Sequence, residues 1–132
     1  KRTFQLLKYK INNKKICFLG VTFKANTDDM RDSSCLTMIP SLVKRGAKVN
    51  YFDPTGEKIE FKNLRNVNFS ENIKSAIKDS DLVIIHTEWN DFKSINFKKD
   101  VKNKNFILFD MRNIYSPIKM KEQKIKYFCV GC

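Results

Sequence analysis

The sequence has one histidine, four glycines and no long apolar run, and each scarcity excludes a class of protein. A membrane-spanning helix needs about 20 consecutive apolar residues, and no stretch comes near that length. Residues 1–10 also lack the apolar segment and the small-residue cleavage site of a secretory signal. We therefore expect a cytoplasmic protein that does not insert into a membrane.

Cysteine is also too scarce for a disulfide-stabilised scaffold, since the chain has only four. Cys17 lies in an apolar run and is expected to be a small buried hydrophobe. Cys129 and Cys132 form a C-x-x-C pair, but a zinc site would need two further ligands, and His86 is the only histidine. We expect free structural thiols in a reducing compartment, and no metal site.

Basic residues outnumber acidic ones by 26 to 14, and the formal net charge of +12 raises nucleic acid as a candidate partner. However, 21 of the basic residues are lysine, and they are scattered along the whole chain. Asn and Ile are also abundant, at 13 each. This combination is typical of a general compositional bias and favours a solvated basic surface. A nucleic-acid-binding domain stays an alternative.

Short apolar runs alternate with helical stretches, which predicts one α/β domain with a mostly parallel sheet. The run at 82–85 is the clearest central strand, because it is apolar throughout, as in a strand buried on both faces. Residues 1–10 have apolar side chains at helical spacing and no N-cap, so we expect the end of a helix that begins outside the chain. The six predicted strands are 16–19, 49–52, 67–69, 82–85, 106–109 and 127–130.

Capping residues predict two of the helices. Ser33 or Ser34 is expected to begin a helix that Gly46 ends, and Ser70 to begin another. Pro40 falls inside the first helix and removes one hydrogen bond, so a kink or a later start is expected there. The expected buried positions are Leu36, Ile39, Leu42 and Val43 in the first helix, and Ile73, Ala76 and Ile77 in the second.

Loops that follow the strands are the expected ligand sites, because open α/β sheets bind ligands at the carboxyl ends of their strands. Loop 20–32 also precedes a helix, whose free N–H groups favour an anion. Its single glycine, Gly20, excludes a G-x-G-x-x-G dinucleotide fingerprint. It offers Phe23 as an apolar wall, Lys24 as a point charge and Arg31 as a planar fork, which together suit a diphosphate. Alternatively, Arg31 pairs with a neighbouring aspartate and only holds the loop; the neighbours are Asp28, Asp29 and Asp32.

Loop 110–117 places Arg112 at the end of another strand, where it suits an anionic or hydroxylated ligand. A salt bridge to Asp110 is the alternative. No nucleophile in the sequence lies beside a base, and no catalytic triad or metal cluster is apparent. The chain alone is therefore expected to be a binding module, with no catalytic residue.

Three other residues in the candidate loops have ordinary structural explanations. Trp89 is expected to be a packing residue. His86, at the end of a buried strand, is expected to be a hydrogen-bonded core residue. Asp53 is expected to form a turn with the proline that follows it.

Residues 20–32 are GVTFKANTDDMRD, which closely resembles the G-L-x-F-K-x-N-T-D-D-M-R-[DE] signature of the nucleotide-sugar dehydrogenases, the UDP-glucose/GDP-mannose dehydrogenase family. Three further stretches, 46–54, 87–89 and 110–115, agree with the family in order and spacing. The family's D-G-R-N is DMRN here, a departure at the middle residue only. The resemblance runs from about residue 14 to the end of the chain.

The resemblance implies a domain division. Residues 13–132 would be the family's C-terminal UDP-binding domain, a Rossmann-like three-layer α/β fold with a mostly parallel sheet. Residues 1–12 would be the end of the central helix, which links the two domains and builds a homodimer. The N-terminal NAD domain, and the catalytic cysteine with its helper residues, would lie before residue 1.

The resemblance also implies an activity. Members oxidise the C6 alcohol of a nucleotide sugar to a carboxylate and reduce two NAD in each turnover. The motifs favour UDP-glucose as the substrate here, oxidised to UDP-glucuronate, with UDP-N-acetyl sugars and GDP-mannose as alternatives. None of the four cysteines matches the family's catalytic cysteine, so the chain alone is expected to be inactive. The implied partners are the UDP-sugar and the N-terminal NAD domain, with no nucleic acid and no membrane. A stand-alone nucleotide-sugar-binding module without catalysis is the alternative.

Site residues follow from positions within the family motifs. Phe23 and Lys24 match the substrate-contacting pair, and Arg112 matches the substrate-binding arginine. Arg31 matches the arginine that reaches towards NAD across the cleft. Lys24 and Arg112 would meet anionic or hydroxylated parts of the UDP-sugar, and Arg31 the NAD pyrophosphate.

Overall fold

The computed structural model describes residues 10–130. Residues 1–9 lie outside this range, so the helix predicted at 1–10 stays a prediction; the break predicted after it is a turn at Asn12 and Asn13. None of the helices described is both long and apolar enough to cross a membrane. In chain order the elements are β1 Lys15–Leu19, α1 Cys35–Lys44, β2 Lys48–Phe52, α2 Ile59–Lys62, β3 Val67–Phe69, α3 Ile73–Ile77, β4 Leu82–Ile85, a 3₁₀ turn Asn90–Phe92, α4 Phe97–Asp100, β5 Ile107–Asp110, α5 Pro117–Glu122 and β6 Lys126–Cys129.

The strands form one sheet in the order β3-β2-β1-β4-β5-β6, and every neighbouring pair is parallel. The chain runs outwards from β1 in one direction and then returns to β4 to run outwards in the other. The strand order therefore reverses between β1 and β4, as in the two halves of a doubly wound fold. The predicted Rossmann-like α/β fold is confirmed.

Alternate side chains of the central strands enter two separate cores. In β1, Ile16 and Phe18 pack with α1 and α2 on one face of the sheet. Cys17 and Leu19 point to the other face, where α3, α4 and α5 pack. Both faces are covered, which explains why β4 is apolar at every position and β1 at every position after Lys15.

Helix α1 begins earlier than the proline suggests. It starts at Cys35 and includes Pro40, so the prediction of a later start is wrong. The carbonyl of Leu36 loses its helical donor, but Leu36 and Pro40 are both exposed, so water can replace that bond. Leu36 is therefore not on the buried face, in contrast to Ile39 and Leu42, which are.

The short helices were the hardest to predict. Helix α2 has four residues and lies in a stretch without an apolar pattern, so it could not be predicted from the sequence. The cap of α3 is Asn72, whose side chain accepts a hydrogen bond from the Ser75 N–H at 2.8 Å, and the prediction of Ser70 is wrong. Ala76 and Ile77 are buried as predicted.

The cysteines differ among themselves. Cys17 and Cys35 are free and buried, which confirms the prediction for Cys17. Burial raises the pKa of both thiols, so neither is a thiolate near neutral pH. Cys129 is disulfide-bonded, so the expectation of a free thiol is wrong there. Sequence spacing alone cannot fix the oxidation state of a thiol, since that depends on geometry and on the surroundings.

Candidate functional site

The loops that follow β1, β4 and β5 lie side by side at the carboxyl edge of the sheet. These three strands are neighbours in the sheet, and the strand order reverses between the first two of them. The predicted site residues Phe23 and Lys24 are in the first loop, and Arg112 is in the third. The fold therefore brings residues that are about 90 positions apart in the sequence to one edge.

Gly20 begins the first loop in close contact with the second. Its φ is +80°, and its N–H donates to the Phe52 carbonyl at 2.8 Å. A Cβ at this position would lie only 2.5 Å from the Cβ of Thr87. A side chain therefore cannot be added here unless Thr87 moves, and the backbone conformation itself favours glycine.

The carbonyl groups of residues 21–24 each accept a hydrogen bond, which holds this part of the loop in one conformation. Ser33 Oγ donates to the Val21 carbonyl at 2.5 Å, and Thr87 Oγ1 donates to the Thr22 carbonyl at 2.9 Å. Arg112 and Thr22 side chains donate to the next two carbonyls, of Phe23 and Lys24. The backbone is thus bonded inwards, while the Phe23 and Lys24 side chains are exposed, Phe23 to 46%.

The guanidinium group of Arg112 is anchored on two backbone carbonyls. Its Nε donates to the His86 carbonyl at 2.8 Å, and its Nη2 donates to the Phe23 carbonyl at 3.3 Å. A guanidinium has five N–H donors, so these bonds leave three for another acceptor. The guanidinium of Arg112 does not form the alternative salt bridge with the Asp110 carboxylate. Arg112 therefore joins the first and third loops and still carries an available charge.

The Asp110 side chain holds the backbone of the third loop in place. Its carboxylate is fully buried and accepts hydrogen bonds from the N–H groups of Arg112 at 3.1 Å and Tyr115 at 3.0 Å. Its other contact is with the hydroxyl of Tyr127, which donates to it at 2.7 Å. Burial, together with this carboxylate, raises the pKa of Tyr127. The role of Asp110 is to hold the backbone that presents Arg112.

Arg31 pairs with a neighbouring aspartate, which was the alternative to a ligand contact in the sequence analysis. Its guanidinium pairs with Asp29 at 3.0 Å, and its side chain is 88% exposed. Hydrogen bonds from Arg31, with a smaller contribution from the charge of Lys24, lower the pKa of Asp29. An exposed pair like this contributes little to stability, so its charge can be re-paired with a ligand at small cost.

A groove of about 480 Å³ lies beside Arg31, between the first loop and the segment that contains α2. Lys58 lines this groove, and its buried ammonium donates to Thr55 Oγ1. Four carboxylates line it as well, on Asp28, Asp29, Glu57 and Glu60. The groove is therefore more acidic than the edge occupied by Lys24 and Arg112, and it suits an anion less well.

Three further expectations can be compared with the structure. Trp89 is 8% exposed in the second core, which confirms its packing role, and within residues 10–130 its indole N–H has no hydrogen-bond partner. Asp53 forms the predicted turn through the Thr55 N–H at 2.9 Å. Its second oxygen accepts from the Val21 N–H at 2.9 Å, a contact that the sequence did not predict. Within the described range no group of three metal-binding side chains comes together.

His86 is a hydrogen-bonded core residue, as predicted. Its side chain lies between Ser34 and Thr87, with ring nitrogen to oxygen distances of 2.8 Å and 3.0 Å. Burial, together with the charge of Arg112, lowers its pKa to about 4, and a backbone contact with Gly20 and the charge of Asp53 act in the opposite direction. The imidazole is therefore neutral at physiological pH.

The low pKa of His86 predicts a pH dependence of stability. The unfolded chain binds a proton near pH 6.5 and the folded chain only near pH 4, so the unfolded state gains protons first as the pH falls. The free energy of unfolding should fall between these values by about 3 kcal/mol. Urea denaturation of the unchanged chain and of the His86→Asn variant, each at pH 7.5 and pH 4, measures this fall in the free energy of unfolding. If the variant loses as much stability between the two pH values as the unchanged chain, His86 is not the cause.

A family model described as "UDP-glucose/GDP-mannose dehydrogenase family, UDP binding domain" matches residues 17–117. The chain belongs to this family. A UDP-glucose 6-dehydrogenase of Rhizobium meliloti (strain 1021) is 34% identical over 122 residues, which are 92% of this chain and 28% of the relative. Another, of Rickettsia conorii, is 35% identical over 130 residues, which are 96% of this chain and 30% of the relative.

Solved structures of dehydrogenases share the fold. A UDP-glucose dehydrogenase of the hyperthermophilic archaeon Pyrobaculum islandicum superposes with a TM-score of 0.73 at 26% identity, over 94% of this chain and 27% of that one. An NDP-N-acetyl-D-galactosaminuronic acid dehydrogenase of Methanosarcina mazei Go1 gives a TM-score of 0.81 at 21% identity, over 98% of this chain and 27% of that one. The chain thus spans less than a third of the length of each of these four dehydrogenases.

The sequence predicted side chains that are exposed at this edge of the sheet, but it did not predict the groups that support them. Ser33 and Thr87 donate to carbonyls of the loop, and neither had been singled out for this role. Asp110 had been considered only as a partner for the Arg112 side chain, whereas it binds the Arg112 N–H. A polar residue at the end of an apolar strand, or just beyond it, is the signal that could have found Asp110 and Thr87.

Proposed function

We propose that this chain binds the UDP part of UDP-glucose for a UDP-glucose 6-dehydrogenase. The observation that carries the proposal is the Arg112 guanidinium, which is anchored on the carbonyls of His86 and Phe23 and keeps three N–H donors. A planar fork of this kind suits a phosphate or a hydroxylated sugar. Family membership supports the class of ligand, and the geometry of Arg112 supports the choice of this residue as its partner.

In this proposal Phe23, Lys24 and Arg112 form the substrate-binding set. Lys24 supplies a second positive charge on the loop that Arg112 braces, and the exposed ring of Phe23 supplies an apolar wall. The carbonyls of residues 21–24 are all hydrogen-bonded within the protein, so they do not present free oxygen atoms that would repel a diphosphate. Two cations near one exposed edge also draw an anionic ligand towards it.

The proposal assigns the cofactor to another part of the enzyme. NAD would be bound mainly by an N-terminal domain and would accept hydride as the C6 alcohol of the sugar becomes a carboxylate, two NAD being reduced in each turnover. Arg31 fits a supporting contact with the NAD pyrophosphate, because its pair with Asp29 is exposed and easily exchanged. The β1–α1 turn of this chain does not fit NAD, since Thr87 fills the space beside Gly20.

Further parts of the proposal concern the complete enzyme. Residues 1–12 would end a central helix that joins the two domains and forms a homodimer, and residues 13–132 would form one wall of the cleft between the domains. Closure of the cleft around both ligands would exclude water from the reaction. The enzyme would act in the cytoplasm, and the 132-residue chain alone would not oxidise UDP-glucose.

Calorimetric titration of the 132-residue chain tests the proposal. UDP and UDP-glucose should bind saturably, with an affinity that decreases as salt is added, because exposed cations hold the diphosphate. GDP-mannose and UDP-N-acetylglucosamine are titrated in parallel. Their affinities, compared with that of UDP-glucose, show whether the chain discriminates between bases and between sugars. A duplex oligonucleotide tests the nucleic-acid alternative. If the oligonucleotide binds tightly and UDP does not bind at all, the proposed function is wrong.

A further inference from the structure

His86 lies at the centre of a chain of side-chain hydrogen bonds that ends on the substrate loop. Ser34 Oγ is 2.8 Å from its Nε2, and Thr87 Oγ1 is 3.0 Å from its Nδ1. Thr87 Oγ1 in turn donates to the Thr22 carbonyl at 2.9 Å. This series of hydrogen bonds therefore connects the beginning of α1 to the backbone directly before Phe23 and Lys24.

The direction of each bond follows from the number of protons available. The Thr87 hydroxyl has one proton, and it is used on the Thr22 carbonyl, which can only accept. Thr87 Oγ1 must therefore accept at its other contact, so His86 Nδ1 carries a proton and donates. In a neutral imidazole Nε2 then has no proton and accepts from the Ser34 hydroxyl. Each of the two hydroxyls thus donates one hydrogen bond, and the ring also contacts the Gly20 backbone at the start of the same loop.

The backbone of His86 contributes to the same site. Its carbonyl accepts from Arg112 Nε at 2.8 Å, and its N–H donates to the Leu19 carbonyl at the end of β1 at 3.0 Å. His86 thus contacts Arg112 through its main chain, and its side chain is connected to the loop of Phe23 and Lys24 through Thr87. Arg112 and Lys24 are the two cations of the proposed substrate site.

We propose that His86 is a positioning residue, which sets the Phe23–Lys24 loop relative to Arg112 by donating from Nδ1 to Thr87. The inference rests on the proposed function, because it concerns the geometry in which UDP is bound. His86 itself is 2% exposed and does not touch the ligand. The hydrogen bond from Nδ1 to Thr87 positions the loop, and the hydrogen bond between Nε2 and Ser34 anchors the ring on α1.

Two conservative variants separate the two sides of the ring. The amide of His86→Asn takes the place of Nδ1 and can still donate to Thr87, but it does not reach Ser34. The amide of His86→Gln takes the place of Nε2 and can still bond Ser34, but it leaves Thr87 without its donor. Both variants remove the ring, so a purely structural role predicts the same loss of UDP affinity in both.

The experiment is a calorimetric titration of UDP into the 132-residue chain and its variants. We expect His86→Asn to bind within about 2-fold of the unchanged chain and His86→Gln to bind about 10-fold more weakly, the size of one lost hydrogen bond. A double-mutant cycle adds a second readout. Lys24→Ala should weaken binding about 10-fold in the unchanged chain but no more than about 3-fold in the His86→Gln background, because a displaced loop no longer presents Lys24.

The outcomes distinguish the inference from the function on which it rests. If the unchanged chain does not bind UDP, the proposed function fails. If it binds and the Asn and Gln variants lose equal affinity, or the effects of Lys24→Ala and His86→Gln are additive, the positioning role is wrong. Thr87→Val keeps the side-chain shape beside Gly20 and removes the hydroxyl, so it replaces His86→Gln in the cycle should that variant not fold.

Discussion

Replacing Arg112 by alanine is expected to weaken UDP binding by about 30-fold, which corresponds to about 2 kcal/mol for a lost charge-assisted contact. The variant loses the donors available to the ligand and also the brace between the His86 and Phe23 carbonyls. Arg112→Lys should recover only part of the affinity, since an ammonium cannot contact both carbonyls as the planar fork does. Calorimetric titration with UDP measures the affinity of the unchanged chain and of the two variants.

Arg65→Ala is the matched control for the Arg112 prediction. Arg65 is also an exposed arginine, but it precedes β3 and is therefore at the amino edge of the sheet. Its replacement removes the same net charge and should change the affinity for UDP by less than about 2-fold. An equal loss in the two variants would mean that UDP responds to overall charge, and the assignment of Arg112 as a binding residue would be wrong.

Replacing Gly20 by alanine is expected to lower the free energy of unfolding by about 3 kcal/mol. Part of this loss is the positive φ of +80°, which an L side chain adopts at a cost of about 1 kcal/mol. The larger part is the clash of the new Cβ with the Thr87 Cβ, 2.5 Å away. Displacement of Thr87 also releases the Thr22 carbonyl, so UDP affinity should fall in the same variant.

Gly56→Ala is the control that separates the two contributions. Gly56 has a φ of +96°, but a Cβ built there meets no atom within 4 Å. This variant should lose only the conformational contribution, about 1 kcal/mol, and should bind UDP normally. Urea denaturation of both variants measures the difference. If the two lose the same stability, the close approach of Gly20 to Thr87 has no energetic consequence, and our description of the loop is wrong.

The strands and the fold class could be predicted because the chain buries both faces of its sheet. Runs such as Leu82–Ile85 are apolar at every position, and few other structures need that pattern over such a short length. Helix α1 was also predictable from Ser33, Ser34 and Gly46, which flank it. The exposure of Leu36 was not, because an apolar side chain next to the buried stripe looks like part of it.

Shorter elements depend on contacts that the sequence does not display. Helix α2 buries only Phe61, whose ring packs against Tyr51 at a centroid distance of 5.4 Å. That contact joins α2 to one face of the sheet and is stronger than any local helical preference of four residues. The choice of Asn72 over Ser70 as the cap of α3 is likewise set by where β3 ends.

The candidate site was predicted only in its exposed half. Phe23, Lys24 and Arg112 follow from the family motifs, which are local in sequence. The supporting contacts are not local, since Thr87 and Thr22 are 65 positions apart and Arg112 and Phe23 are 89 apart. Such pairs appear only when the parallel strands place their carboxyl ends together, so the sequence predicts candidate side chains for the site but not the contacts that hold them.

The most direct measurement is the structure of this chain crystallised with UDP. Our account predicts the diphosphate against the loops that follow β1 and β5, with its oxygens within hydrogen-bonding distance of the Lys24 ammonium and the Arg112 guanidinium. The same crystals can contradict it. If UDP is found instead in the groove lined by Lys58, with Lys24 and Arg112 directed into solvent, the substrate site is elsewhere and the account is wrong.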